Sequence, residues 1–220
     1  METFIITVDG TYACFTRPEM KAERVSYDVI TPSAARAVYE AIFWKPAINW
    51  IITQIEVLNP IQFTNIRRNE VGCVISSRNV TQAMNNGSGN LGIYIEDERQ
   101  QRASVLLKDV KYRLHAQMKI KPEALAQNST TKMHEMFNRR VSKGQCFMQP
   151  YLGCREFPGY FSLSSSEEKV QPISKTDDLG WMLYDMDYSQ ANIPMPRFFR
   201  AKMINGRIQV PSPDSMEIRG

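Results

Sequence analysis

Val105-Leu106-Leu107-Lys108-Asp109-Val110-Lys111-Tyr112-Arg113-Leu114-His115-Ala116-Gln117-Met118-Lys119-Ile120-Lys121 is the stretch on which the fold turns. From Tyr112 onward every second residue is apolar: Tyr112, Leu114, Ala116, Met118 and Ile120. Between them stand Lys111, Arg113, His115, Gln117, Lys119 and Lys121. A period of two puts alternate side chains on opposite sides of a pleated strand, so this segment is a strand with one apolar and one polar, basic face. Such a face suits two roles, an ordinary solvated sheet surface or a track for phosphates, whose neutralisation releases counterions.

Outward from this strand the elements alternate. Phe4–Val8 is rich in Ile, Val and Phe and reads as a first strand; Ile48–Leu58 reads as another, ending at Asn59-Pro60. Between them a helix is expected over Pro32–Trp44, with Thr31 as N-cap, Pro32 at the first helical position and Pro46 as the stop. A second helix is expected over Thr131–Lys143, with Met133, Met136, Phe137 and Val141 inward and Gly144 ending it. Cys146–Leu152 reads as a further strand. Strand, helix, strand, strand, helix, strand is the ferredoxin-like, RRM-like order of an α+β domain, expected over residues 1–155. A β-rich insertion interrupts it at about 62–104, and its Asn85–Asn90 tip reads as a mobile loop. Residues 156–220 read as a small antiparallel β-sheet region, with a hairpin over Phe198–Val210 turning at Asn205-Gly206.

The chain has 220 residues, 43% of them hydrophobic, enough for a packed core. Its net charge of +4 permits nucleic-acid binding without demanding it, so clustering carries more information than the total. Lys21 with Arg24, Arg67-Arg68, Lys108 to Arg113, and Arg139-Arg140 with Lys143 are such clusters. Cys14, Cys73, Cys146 and Cys154 form no Cys-x-x-Cys pair, and with two histidines neither a zinc site nor a disulfide framework is expected. No signal peptide or membrane span is evident, so a reduced, cytoplasmic protein without a metal or other cofactor is expected.

Four blocks carry a family resemblance: Ala13-Cys14-Phe15-Thr16-Arg17-Pro18-Glu19-Met20-Lys21 with Arg24-Val25-Ser26-Tyr27-Asp28-Val29; Phe63-Thr64-Asn65-Ile66-Arg67-Arg68-Asn69-Glu70-Val71-Gly72; Asp97-Glu98-Arg99-Gln100-Gln101-Arg102-Ala103; and Gln149-Pro150-Tyr151-Leu152-Gly153-Cys154-Arg155-Glu156-Phe157-Pro158. Together they resemble the CRISPR-associated RAMP proteins, specifically the d branch of the fifth Cas family, of subtype I-C. The resemblance implies a subunit of the Cascade surveillance complex that cuts the repeat transcript at the base of its hairpin and holds the 5′ handle of the guide RNA. The implied cleavage is metal-independent: a 2′-hydroxyl attacks the neighbouring phosphate, which calls for a base, an acid and a positive charge. A handle-binding cap without catalysis is the alternative. The implied partners are guide RNA and its repeat precursor, the backbone and large Cascade subunits, and target DNA through the complex.

The family commonly draws its proton-transfer groups from a tyrosine in an Ile-Tyr-Trp-Lys-Pro block and a histidine on the later strand. Here the first position is Phe43, with no hydroxyl, and ungapped placement puts Gln117 at the second. His115 lies two residues back on the same strand face, and Tyr39 lies one helical turn before Phe43; either is a candidate for a displaced catalytic group. Lys45 and Lys111 are candidates for stabilising charge. Candidate RNA contacts are Lys21, Arg24, Tyr27, Trp44, Arg67, Arg68, Arg113, Arg139, Arg140, Lys143 and Arg155. Two of these have a purely structural counterpart: Trp44 as a core aromatic, and the Arg139–Lys143 cluster as a complement to a helix C-terminus.

Overall fold

The computed structural model describes residues 2–89, 91–124, 129–164, 170–189 and 194–220. In chain order the elements are β1 (Thr3–Ala13), α1 (Pro32–Ile42), β2 (Ile48–Val57), β3 (Phe63–Val71), α2 (Ser77–Asn86), β4 (Arg99–Ile120), a 3-10 turn (Pro122–Ala124), α3 (Thr130–Ser142), β5 (Tyr160–Leu163), β6 (Asp177–Asp187), β7 (Met195–Ile204) and β8 (Arg207–Gln209). The result is a mixed α/β protein dominated by one antiparallel sheet, in the order β5-β1-β4-β2-β8-β7-β6. The alternating stretch lies in the second half of β4, between β1 and β2. The first half leaves that sheet at Leu107 and pairs with β3 as a two-stranded ribbon.

Alternation does what it promised. Tyr112, Leu114, Ala116, Met118 and Ile120 are buried, in register with Val8, Ile6 and Phe4 on β1 and with Ile55, Ile52, Trp50 and Ile48 on β2. Ile52 and Ile55 both face inward although three positions apart, because a β-bulge between Ile52 and Gln54 inserts Thr53. On this apolar face α1 and α3 close an aromatic cluster. Phe4, Tyr39, Trp50 and Phe137 meet with ring centroids 4.8–5.8 Å apart.

Helix α1 starts where Thr31 caps it, its Oγ1 accepting the Ala34 N–H at 3.3 Å. It ends at Ile42, with Phe43 already extended, two residues before the expected Trp44. Partners from elsewhere satisfy its last carbonyls: the Phe147 and Met148 N–H groups donate to Ala41 O at 2.8 and 3.2 Å, and Arg140 donates to Ile42 O at 2.9 Å. The same contacts correct the strand expected over Cys146–Leu152. Its N–H groups cap a helix instead of joining a ladder, and only Tyr151 makes an isolated bridge, to Pro158. The strand is β5, and it pairs with β1 from Ile6 to Asp9.

The insertion combines the β3–β4 ribbon with a helix, α2, none of whose residues is buried. Asn85 and Asn86 close that helix instead of forming a loop, and Gly87 caps it at φ 63°. Asn90 lies outside the described residues. The turn at Asn205-Gly206 forms as read, with φ 49° and 72°. It folds β8 back to pair with both β7 and β2, so the C-terminal strands continue the main sheet. Among the described residues no helix is long and apolar enough to cross a membrane.

Gly153 is the tightest backbone approach. At φ 85°, a β-carbon there would stand 1.9 Å from Cys14 O. Gly153→Ala is therefore expected to cost more than about 2 kcal/mol, read as a lowered midpoint in urea unfolding.

Candidate nucleic-acid interface

The sheet face turned away from α1 and α3 carries Arg113, His115 and Gln117, with Thr7, Ile5 and Thr3 of β1 beside them and Glu56, Gln54 and Ile51 of β2 on the other flank. Its centre is Glu56, a buried carboxylate. Arg113 Nη1 lies 2.7 Å from its Oε2; Arg207 Nε and Gln54 Nε2 donate to Oε1 at 3.2 and 3.1 Å. Arg113 also donates to Ser164 Oγ at 3.1 Å and to Val170 O at 3.0 Å. This corrects the expected phosphate track: Arg113 is only 14% exposed and its charge is answered by Glu56. Lys119, by contrast, is exposed, and Lys111 is half-buried.

His115 and Gln117 share this face, as the alternation required. His115 Nε2 is 3.6 Å from Glu56 Oε1, and the side chain is 16% exposed. Burial lowers the His115 pKa; Glu56 opposes the shift, while Arg113 and Arg207 reinforce it. The ring is thus held neutral near pH 7, the form that accepts a proton.

Tyr39 is on the other side of the sheet. It is fully buried, and its hydroxyl lies 2.9 Å from Phe4 O and 2.7 Å from Leu114 O, donating between them. It therefore cannot share a site with His115, and its proton already serves the core. Tyr39→Phe is expected to cost about 1–3 kcal/mol of stability, because buried carbonyls lose their donor. RNA cleavage by the folded variant should be unchanged.

Phe43 is also buried, with the Arg140 guanidinium 5.3 Å from its ring centre. Beyond it the chain turns outward: Trp44 is 55% exposed and Lys45 is half-buried. Exposed Arg139 and Lys143 come from the end of α3. The loop that caps α1 adds Phe147, 85% exposed. Sequence reasoning missed Phe147 because the apolar run around it read as a strand. Together these side chains make a basic, aromatic rim of the kind that binds unpaired bases and phosphates.

A second basic group gathers where β1 ends and the ribbon begins. Arg68 pairs with Glu156 and lies 3.9 Å from Glu70; Arg24 reaches Glu70 and Glu156, both at 3.7 Å; Arg102 lies 3.7 Å from Glu70. Lys21, Arg67 and Arg155 are exposed. Tyr27, expected among the RNA contacts, is instead buried under Arg17, whose guanidinium is 4.5 Å from its ring centre, so no base can reach it. His134 packs edge-on against Phe4 and pairs with Glu2 at 2.6 Å. Among the described residues no group of three or more His, Cys, Asp or Glu side chains could hold a metal ion.

The antiparallel sheet recurs in solved structures. One, described as a CRISPR-associated protein, has a TM-score of 0.70 and 22% identity, over 100% of this chain and 97% of its own. Another, a functionally uncharacterized protein from Streptococcus mutans, has a TM-score of 0.69 and 21% identity, over 100% of this chain and 97% of its own. These likenesses define a fold class. At the level of sequence, the profile of a family described as CRISPR-associated protein (Cas_Cas5) matches residues 3–211. The chain is 53% identical over 209 residues to the protein of Mannheimia succiniciproducens named CRISPR pre-crRNA endoribonuclease Cas5d, covering 92% of each. It is 39% identical over 230 residues to the Thermus thermophilus protein of the same name, covering 97% of this chain and 93% of that one. The chain belongs to the Cas5d family, the subtype I-C branch of the CRISPR-associated Cas5 proteins.

Proposed function

We propose that this chain cuts precursor guide RNA at the repeat hairpin and stays bound to the 5′ handle as a Cascade subunit. The observation that carries the reading is the 53% identity, over 92% of both chains, to a protein named a pre-crRNA endoribonuclease. His115 supplies a neutral imidazole for deprotonating the 2′-hydroxyl. Arg24, Arg67, Arg68, Lys21 and Arg155 at one rim, and Trp44, Lys45, Arg139 and Lys143 at the other, hold the RNA. The backbone and large Cascade subunits, and target DNA through them, are the remaining partners. The strand order β5-β1-β4-β2, with α1 and α3 on one face, supports a ferredoxin-like reading of this half of the molecule, with β5 as its outer strand.

A second reading has its own support. Phe43 has no hydroxyl, Gln117 is not a base and Tyr39 is committed to the core, which is what a handle-binding cap without catalysis would tolerate. Incubating the purified chain with its cognate repeat hairpin in EDTA separates the two. Cleavage at one site, leaving a 5′-hydroxyl and a cyclic phosphate, is the expected result. Tight binding with intact RNA would leave the cap, and a cut that needs added metal would overturn the 2′-hydroxyl mechanism.

A further inference from the structure

Cys14 and Cys154 are 140 residues apart, and no spacing rule pairs them. The fold brings them together at the end of β1. Cys14 N–H donates to Leu152 O at 3.0 Å, and the Gly153 backbone crosses directly over the Cys14 carbonyl. This leaves Cys154 Sγ 3.8 Å from Cys14 O, with the two thiols hydrogen-bonded to each other. Thr16 Oγ1 is 3.5 Å from Cys14 Sγ, and Arg24 Nη1 is 3.8 Å from Cys154 Sγ.

These neighbours polarise the pair. The hydrogen bond from Cys154 is the main influence lowering the Cys14 pKa; burial opposes it, and Thr16, Arg24 and Arg68 add to it. Cys154 is pushed the other way, first by the same hydrogen bond and then by burial. One sulfur is therefore inclined to be the thiolate and the other to keep its proton, as in an attacking and resolving pair. Exposed Cys73 lacks this arrangement. Its pKa is raised, with Glu98 among the causes, so the most accessible thiol is not the best nucleophile.

We propose that Cys14 and Cys154 form a reversible disulfide under peroxide, a modification site that ties the end of β1 to the loop before β5. The Cys14 thiolate attacks one oxygen of hydrogen peroxide. A sulfur–oxygen bond forms, the oxygen–oxygen bond breaks, and the departing hydroxide takes a proton to become water. Cys154, giving up its proton, then attacks the sulfenic sulfur. The sulfur–sulfur bond forms, and the released hydroxide leaves with that proton as a second water. The two thiols are oxidised by two electrons in all, the peroxide is reduced by two, and a dithiol reductant reverses the change.

The test uses the full chain, reduced, exposed to dilute hydrogen peroxide, alkylated and digested without reductant. Mass spectrometry is expected to find a peptide pair linked through Cys14 and Cys154, formed before oxidation of Cys73. The melting temperature should rise by roughly 5–15 °C and return with dithiothreitol, because the cross-link closes a long loop of the unfolded chain. Cys154→Ser should lose that rise and leave Cys14 as a sulfenic acid that dimedone traps. Recovery of Cys14 and Cys154 as alkylated thiols while Cys73 is oxidised would overturn the proposal. The wild-type peptide map decides it even where the variant fails to fold, and it stands apart from RNA cleavage.

Discussion

Cleavage of the repeat hairpin by His115→Ala is expected to fall by about 10²–10⁴-fold, the range that a positioned general base contributes. Binding of the same hairpin should change little, because the cationic and aromatic rims do not include this ring. His115 Nε2 stands 3.6 Å from Glu56, which keeps Arg113 and Arg207 as partners when the ring is removed. The melting temperature should therefore stay within a few degrees of wild type, and the loss cannot be put down to unfolding. The pH profile gives a second check. A base works when neutral, so the rate rises with pH through its pKa. Burial lowers that pKa, so the plateau should be reached below the ordinary histidine value of about 6.5. Wild-type rates in His115→Ala, or a wild-type rate that falls as pH rises from 5 to 7, would remove His115 from the mechanism.

Local patterns foretold local structure. Thr31 and Pro32 start α1, the period of two from Tyr112 to Ile120 sorts the two faces of β4, and Asn205-Gly206 turns the last hairpin. Each is a preference of a few neighbouring residues, with no distant partner required. The misreadings share the opposite cause. Cys146–Leu152 is apolar enough for a strand, yet its N–H groups are claimed by the end of α1, more than a hundred positions earlier. The basic face of β4 read as open because its neutralising carboxylate comes from β2, and the second arginine on that carboxylate comes from β8. Tyr39 and Tyr27 carry hydroxyls that look chemically useful in sequence, but burial decides their role, and burial is a property of the whole packing. The candidate site was legible as a set of residue types, and its division between two faces was not.

Glu56→Ala is expected to cost about 3–5 kcal/mol, the usual consequence of leaving a buried charge without its partner. For a chain of this size that lowers the melting temperature by roughly 6–15 °C. The two arginines explain the size unequally. Arg207 is 43% exposed and can turn to water, whereas Arg113 is 14% exposed and is held under Ser164 and Val170. Arg113 would keep neutral acceptors and lose its counter-charge in a place that water reaches poorly. Removing both charges, as Glu56→Ala with Arg113→Met, should therefore cost less than the sum of the single changes, and the double-mutant cycle measures that coupling. The damage should also be localised. β8 pairs with β2 only at Gln54, Ile55 and Glu56, so the Glu56–Arg207 contact lies within the short seam that joins the C-terminal strands to the rest of the sheet. Hydrogen exchange in Glu56→Ala should speed up first at Gln54–Glu56 and Arg207–Gln209, while the Phe4–Trp50–Phe137 cluster stays protected. A melting temperature within 2 °C of wild type, or uniform loss of protection, would show that Glu56 is not the residue that closes this seam.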